Sequence, residues 1–172
     1  VSYFAAAMAR LDDGWDAREM DLTGVEDLDT LTDQLRDVIS DASALTVVLF
    51  VEEDDEYLAI VRLDSELEPR VFLSDVRVVD TSVIAAMLYE EAAAESLEDI
   101  AEDDEDSDDD EEEDGALRAE ADPAGDDDLL VDLGMPGKVL LDLCAEEGML
   151  PADVITAVCE SLGCLEQMES LR

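Results

Sequence analysis

The chain has 172 residues, 9 Lys and Arg against 51 Asp and Glu, and no histidine, for a formal charge of −42. Non-specific nucleic-acid binding depends on neutralising phosphates with Lys and Arg, so a field of this sign argues against direct nucleic-acid or anionic-membrane binding and favours a partner with a basic surface. Without histidine the commonest general base and metal ligand are missing; no Ser-His-Asp, Cys-His, H-E-x-x-H or H-x-E constellation can form, and no catalytic residue, metal or cofactor is expected.

Ser2 to Arg10 reads as a strand closed by Asp12-Asp13-Gly14, a hairpin signal, and Trp15 to Met20 as the return strand. Asp27 to Ile39 is helical, since Leu28, Leu31, Leu35 and Val38/Ile39 keep a 3.6-residue period, and Thr23 or Asp27 could cap it. The β-branched run Leu45 to Val51 predicts a central strand buried on both faces. Glu52 to Asp55 then reads as a charged turn, Tyr57 to Leu63 as a returning strand, and Arg70 to Leu73 as another. Thr81 to about Ala94 reads as a second helix, capped by Asp80 or Thr81. Arg62, Arg70 and Arg77 lie on or beside neighbouring strands, either gathered into a patch or, as the many nearby carboxylates favour, paired as exposed ions of little energetic consequence. This order, ββαβββα, predicts an α+β domain over residues 1–95 with a small, mostly antiparallel sheet.

Charge is concentrated beyond that domain. Val1 to Tyr89 holds 6 basic and 21 acidic residues, Glu90 to Asp128 holds 1 and 22, and Leu129 to Arg172 holds 2 and 8. The densest stretch is Glu102, Asp103, Asp104, Glu105, Asp106, Asp108, Asp109, Asp110, Glu111, Glu112, Glu113 and Asp114, interrupted only by Ser107. Like-charge repulsion without apolar side chains leaves nothing to offset ordering entropy, so residues 96–128 are expected to form a disordered linker. These twelve carboxylates are the candidate interaction tract. Asp110, Glu112, Asp114 and Gly115 touch the pattern of a calcium loop, but its twelfth position is Ala121 rather than a bidentate Glu.

Residues 129–172 read as a three-helix segment: Met135-Pro136 to Glu147, Leu150-Pro151 to Leu162, and a short helix carrying Leu165, Met168 and Leu171. Such a segment is too small to stand alone and should dock on the first domain or on a partner. Gly134 to Lys138 is not a phosphate loop, because Asp132 and Val139 occupy positions that need Gly and Ser or Thr. The helix pair around Gly148 to Pro151 is not a DNA reader, since its second helix carries Asp153 and Glu160 and no cation. Cys144, Cys159 and Cys164 form no C-x-x-C; their odd number and the lack of an export signal suggest reduced thiols in a cytoplasmic protein, with Cys144 and Cys159 packing in a core. Val1 is read as the literal translation of a non-AUG start codon, which would make the chain complete.

Five stretches carry a family resemblance: SYFAAAMARLDDGW (Ser2 to Trp15), VLFVEEDDEYLAIVR (Val48 to Arg62), PRVFLSD (Pro69 to Asp75), PAGDDDLLVDLGMP (Pro123 to Pro136) and LPADVITAV (Leu150 to Val158). With the acidic linker between them, the chain resembles the tRNA adenosine deaminase-associated proteins of high-GC Gram-positive bacteria. The resemblance implies partnership or a shared pathway with such a deaminase. It implies no catalytic residues. Zinc-dependent deaminases use H-x-E and P-C-x-x-C, both missing here, so this chain is not the deaminase. Three readings follow: a non-catalytic accessory whose tract contacts the deaminase's basic, RNA-facing surface, which is favoured; a stand-alone acidic protein serving solubility or cation buffering; and, least favoured, an enzyme working with carboxylates alone, which would need a concave pocket holding acidic groups of raised pKa.

Overall fold

The computed structural model describes residues 3–65, 68–90 and 123–171. Its centre is an antiparallel sheet in the order β2-β1-β3-β4-β5-β6, formed by β1 (Tyr3–Leu11), β2 (Gly14–Glu19), β3 (Thr46–Glu53), β4 (Tyr57–Asp64), β5 (Arg70–Leu73) and the two-residue β6 (Ala124–Gly125). The first hairpin pairs Leu11 with Gly14 across Asp12-Asp13, as its turn chemistry predicts. The chain is α+β, and the ββαβββα order of the first part is present.

The strands are apolar almost without interruption because both faces are covered. Successive side chains point to opposite faces. In β3, Val47, Leu49 and Val51 enter one core while Val48 and Phe50 enter the other. β1 divides likewise, with Ala5, Ala7 and Ala9 on one side and Ala6 and Met8 on the other. The first face lies under α1 (Leu28–Ala42) and α2 (residues 83–90), through Leu31, Leu35, Ala85 and Leu88. The second lies under α3 (Gly137–Ala145), α4 (Pro151–Leu162) and α5 (Leu165–Glu169), through Leu140, Val158, Leu162 and Met168. The C-terminal helices therefore dock on the sheet, and Trp15 Nε1 fastens them by donating to the Leu162 carbonyl at 3.2 Å.

Several local expectations change. Asp27, not Thr23, caps α1, accepting from the Thr30 amide at 2.8 Å. β3 runs on through Glu52 and Glu53, which pair with Leu58 and Tyr57, so the turn contracts to Asp54, Asp55 and Glu56. Asp54 and Asp55 both adopt positive φ, 54° and 59°, and the Glu56 amide closes the turn on the Glu53 carbonyl at 2.9 Å; aspartate tolerates this left-handed geometry better than most residues. A 3-10 turn over Val76–Asp80 precedes α2, whose cap is Ser82 instead of Asp80 or Thr81: its hydroxyl accepts from the Ala85 amide at 3.0 Å. The expected extension of α2 to Ala94 and the linker over 96–122 lie outside the described residues. Residues 123–128, read from sequence as the linker's end, instead carry β6 against Phe72 and Leu73.

Candidate functional site

The twelve tract carboxylates, Glu102 to Asp106 and Asp108 to Asp114, lie outside the described residues; the fold describes the two elements between which the tract runs. On the N-terminal side is α2, held by the Ser82 cap and by Met87 and Leu88 in the core. On the C-terminal side is a strap, residues 123–135, laid over β5 and β4. Arg70 donates to Asp126 at 2.7 Å, and the Asp126 amide donates to the Val71 carbonyl at 2.9 Å.

The strap's main anchor is Arg62. Period-two alternation places it beside Leu58 and Ile60 on the face toward the C-terminal helices, where an apolar residue would be the simple choice. Its side chain is only 7% exposed. Nη1 donates to the Leu129 carbonyl at 2.7 Å and to Asp132 at 2.5 Å, Nη2 donates to the other Asp132 oxygen at 3.0 Å, and Nε reaches Asp64 at 3.2 Å. The two parallel bonds to Asp132 form the bidentate fork that guanidinium geometry favours. These bonds hold the Asp132 carboxyl below its ordinary range. Arg77 turns onto Asp75 at 2.7 Å. Arg62 and Arg70 thus stand opposite each other across β4 and β5 with both of their carboxylates, Asp132 and Asp126, on the strap, while Arg77 is bound apart to Asp75; Arg62 differs from an exposed surface pair in being buried.

At the far end of the sheet, Glu53 is buried and accepts hydrogen bonds from the Tyr57 and Ser82 hydroxyls, the former at 2.9 Å. Burial first, and the Glu53 charge with it, pushes the Tyr57 phenol upward. Beside this cluster a cleft of about 110 Å³ is lined by Asp55, Glu56, Tyr57, Asp75, Cys144 and Met149 among others. A cleft of about 320 Å³ lies between Tyr3, Glu19 and Asp21. There the Thr23 amide and the Tyr3 hydroxyl hold the Asp21 carboxyl down, the opposite of what a general acid needs. Among the described residues no group of three or more His, Cys, Asp or Glu side chains is arranged to hold a metal ion, and no helix is long and apolar enough to cross a membrane.

Two motifs set aside in the sequence have packing roles. A Cβ at Gly134, whose φ is 116°, would stand 2.8 Å from the Ser161 carbonyl oxygen, and one at Gly137 would meet the Asp127 carbonyl oxygen at 2.9 Å. These glycines let the strap pass closely under α3 and α4. Cys159 and Cys164 are buried in the same layer, and burial pushes the Cys144 thiol up to about 12. Thiol reactivity follows the thiolate population. Ellman's reagent at pH 8 is therefore expected to modify the native protein at least about a hundredfold more slowly than free cysteine, and to titrate all three thiols once urea unfolds the chain. Rapid native modification at Cys144 would contradict this burial.

The Arg62–Asp132 anchor and the Glu53–Tyr57–Ser82 cluster were not singled out from sequence. Arg62 interrupts an apolar strand on a face that must be covered, and that signal could have found it; no comparable pattern marks Ser82.

The described fold defines an α+β protein with one antiparallel sheet between two helical layers, most of its cations bound to its own carboxylates. A family model described as Rv3753c-like tRNA adenosine deaminase-associated protein matches residues 3–165, and the chain belongs to that family. No curated protein matches the chain. No solved structure matches it either.

Proposed function

We propose that this protein is a non-catalytic cytoplasmic accessory that binds a tRNA adenosine deaminase, with the Glu102 to Asp114 tract contacting the enzyme's basic, RNA-facing surface. The observation that carries this reading is the placement of charge. Twelve of thirteen residues from Glu102 to Asp114 are acidic, in a chain whose family is named for association with the deaminase. Arg62, Arg70 and Arg77 are spent on internal carboxylates, which supports an outward field dominated by negative charge. Carboxylates over a basic groove would compete with tRNA phosphates without any base-specific contact.

Co-purification with the deaminase from the same organism tests this. A complex is expected at low salt, weakening at least about tenfold when ionic strength rises from about 0.05 M to about 0.5 M, where the screening length falls to a few ångströms. Deleting Glu102 to Asp114 should produce a similar loss at low salt. Full binding by the deletion variant would assign the tract a solvated, stand-alone role, and no complex at low salt would reject the partnership.

A further inference from the structure

Among the described residues the sheet ends on β2, which has no strand on its outer side. The Met20 amide donates to the Ala5 carbonyl, so by the period of two the backbone groups of Gly14, Asp16 and Arg18 face β1, and those of Trp15, Ala17 and Glu19 face outward. Edges are commonly blunted by proline or by charged side chains. β2 has no proline, and the charges of Trp15-Asp16-Ala17-Arg18-Glu19 are of mixed sign, a pattern that complements itself when reversed about Ala17.

We propose that β2 pairs antiparallel with β2 of a second copy, two-fold symmetric about Ala17, to form one continuous sheet. Ala17 then exchanges both backbone hydrogen bonds with its symmetry mate, and Trp15 and Glu19 do the same with each other's counterparts. On the α1 face, Asp16 lies directly opposite Arg18 of the second copy, twice over. In the single chain Arg18 reaches Asp16 at 3.1 Å within one strand and Asp41 at 3.4 Å, all part-exposed, so the guanidinium is already positioned on this face. On the other face, Glu19 of the second copy falls opposite Trp15. The Arg10 guanidinium lies 5.4 Å from the Trp15 ring centre and, among the described residues, is the one cation not within ion-pair distance of a carboxylate. Glu19 is exposed and supplies that carboxylate across the two-fold. Backbone geometry, the Asp16–Arg18 alternation and the Arg10–Trp15 stack all select the same register, and the occupant they fit is the same strand reversed.

Sedimentation equilibrium of the full chain alone, at about 0.2 M salt to screen its net repulsion, tests the pairing. A monomer–dimer equilibrium is expected. Ala17→Pro removes the central outward donor while sparing the ladder to β1, and should weaken the dimer about tenfold or more. Asp16→Arg and Arg18→Asp should each do the same by setting like charges opposite one another, and an equimolar mixture of these two variants should recover dimer as the heterodimer. Circular dichroism confirms that each variant folds. A wild type that stays monomeric up to millimolar concentration overturns the proposal, as does a dimer indifferent to Ala17→Pro or a mixture that recovers none.

Discussion

Replacing Arg62 with alanine is expected to lower unfolding stability by about 2–4 kcal/mol, the range for removing one member of a buried, hydrogen-bonded charge pair. The three groups that Arg62 serves do not lose equally. The Leu129 carbonyl is left without its side-chain donor in a buried site. Asp64 is about one-fifth exposed but keeps the Thr46 hydroxyl at 2.6 Å. Asp132 is 64% exposed and can rehydrate, which keeps the cost below that of stranding a fully buried carboxylate. Arg62→Met refills most of the volume and should recover about half of the loss, since only the polar deficit at Leu129 then remains. The anchor is also acid-sensitive. The folded-state Asp132 carboxyl is held below its ordinary 3.8, mainly by the Arg62 hydrogen bonds; the stability it contributes is present above pH 4 or so and is lost as pH falls through the folded value. Urea titrations should show this acid loss in the wild type and a smaller one in Arg62→Ala. Hydrogen exchange should show α3 to α5 opening more readily than β1 or β3 in the variant, because Arg62 joins the sheet to the strap that leads into them. Equal protection changes in every element would mean that Arg62 supports the sheet alone.

The strands and main helices were readable because their signals are local. Leu28, Leu31, Leu35 and Val38 repeat at helical spacing, and Leu45 to Val51 has the β-branched continuity that only two-sided burial explains. What the sequence did not disclose are properties of pairs far apart in the chain. Glu53 looked like part of a turn because an isolated carboxylate is solvated; in the fold, its register opposite Tyr57 and the arrival of Ser82 give it two hydroxyl donors and allow burial. Arg62 looked like one more surface cation because Asp132 lies 70 residues on. β6 was invisible for a related reason: Ala124–Gly125 has no strand propensity, and only the free edge of β5 with the Arg70–Asp126 bond makes it a strand. The candidate tract is the opposite case, since it is read from composition alone.

Tyr57→Phe is expected to have two effects of opposite sign, separated by pH. At neutral pH the variant loses the donor that Tyr57 offers Glu53, leaving a buried carboxylate with Ser82 as the remaining hydroxyl partner, at a cost of about 1–3 kcal/mol. Burial, followed by the Glu53 charge, raises the Tyr57 pKa above its ordinary 10.0 in the folded state. The protonated phenol is therefore favoured by folding. Its contribution is fully present below pH 10 and drains away as pH rises from there toward the folded value, because the unfolded chain ionises first. Wild-type stability should accordingly fall above about pH 10 more steeply than that of Tyr57→Phe, so the gap between the two narrows with rising pH. Glu53→Gln provides the complementary arm: it keeps an acceptor for both hydroxyls but removes the charge, so the alkaline slope should shallow while the tyrosine is retained. Guanidinium titrations at several pH values, with tyrosinate absorbance followed in parallel, measure both quantities. Tyr57 ionising near pH 10 with the fold intact would mean that the phenol is reached by solvent and that the Glu53–Tyr57–Ser82 cluster does not close this end of the sheet.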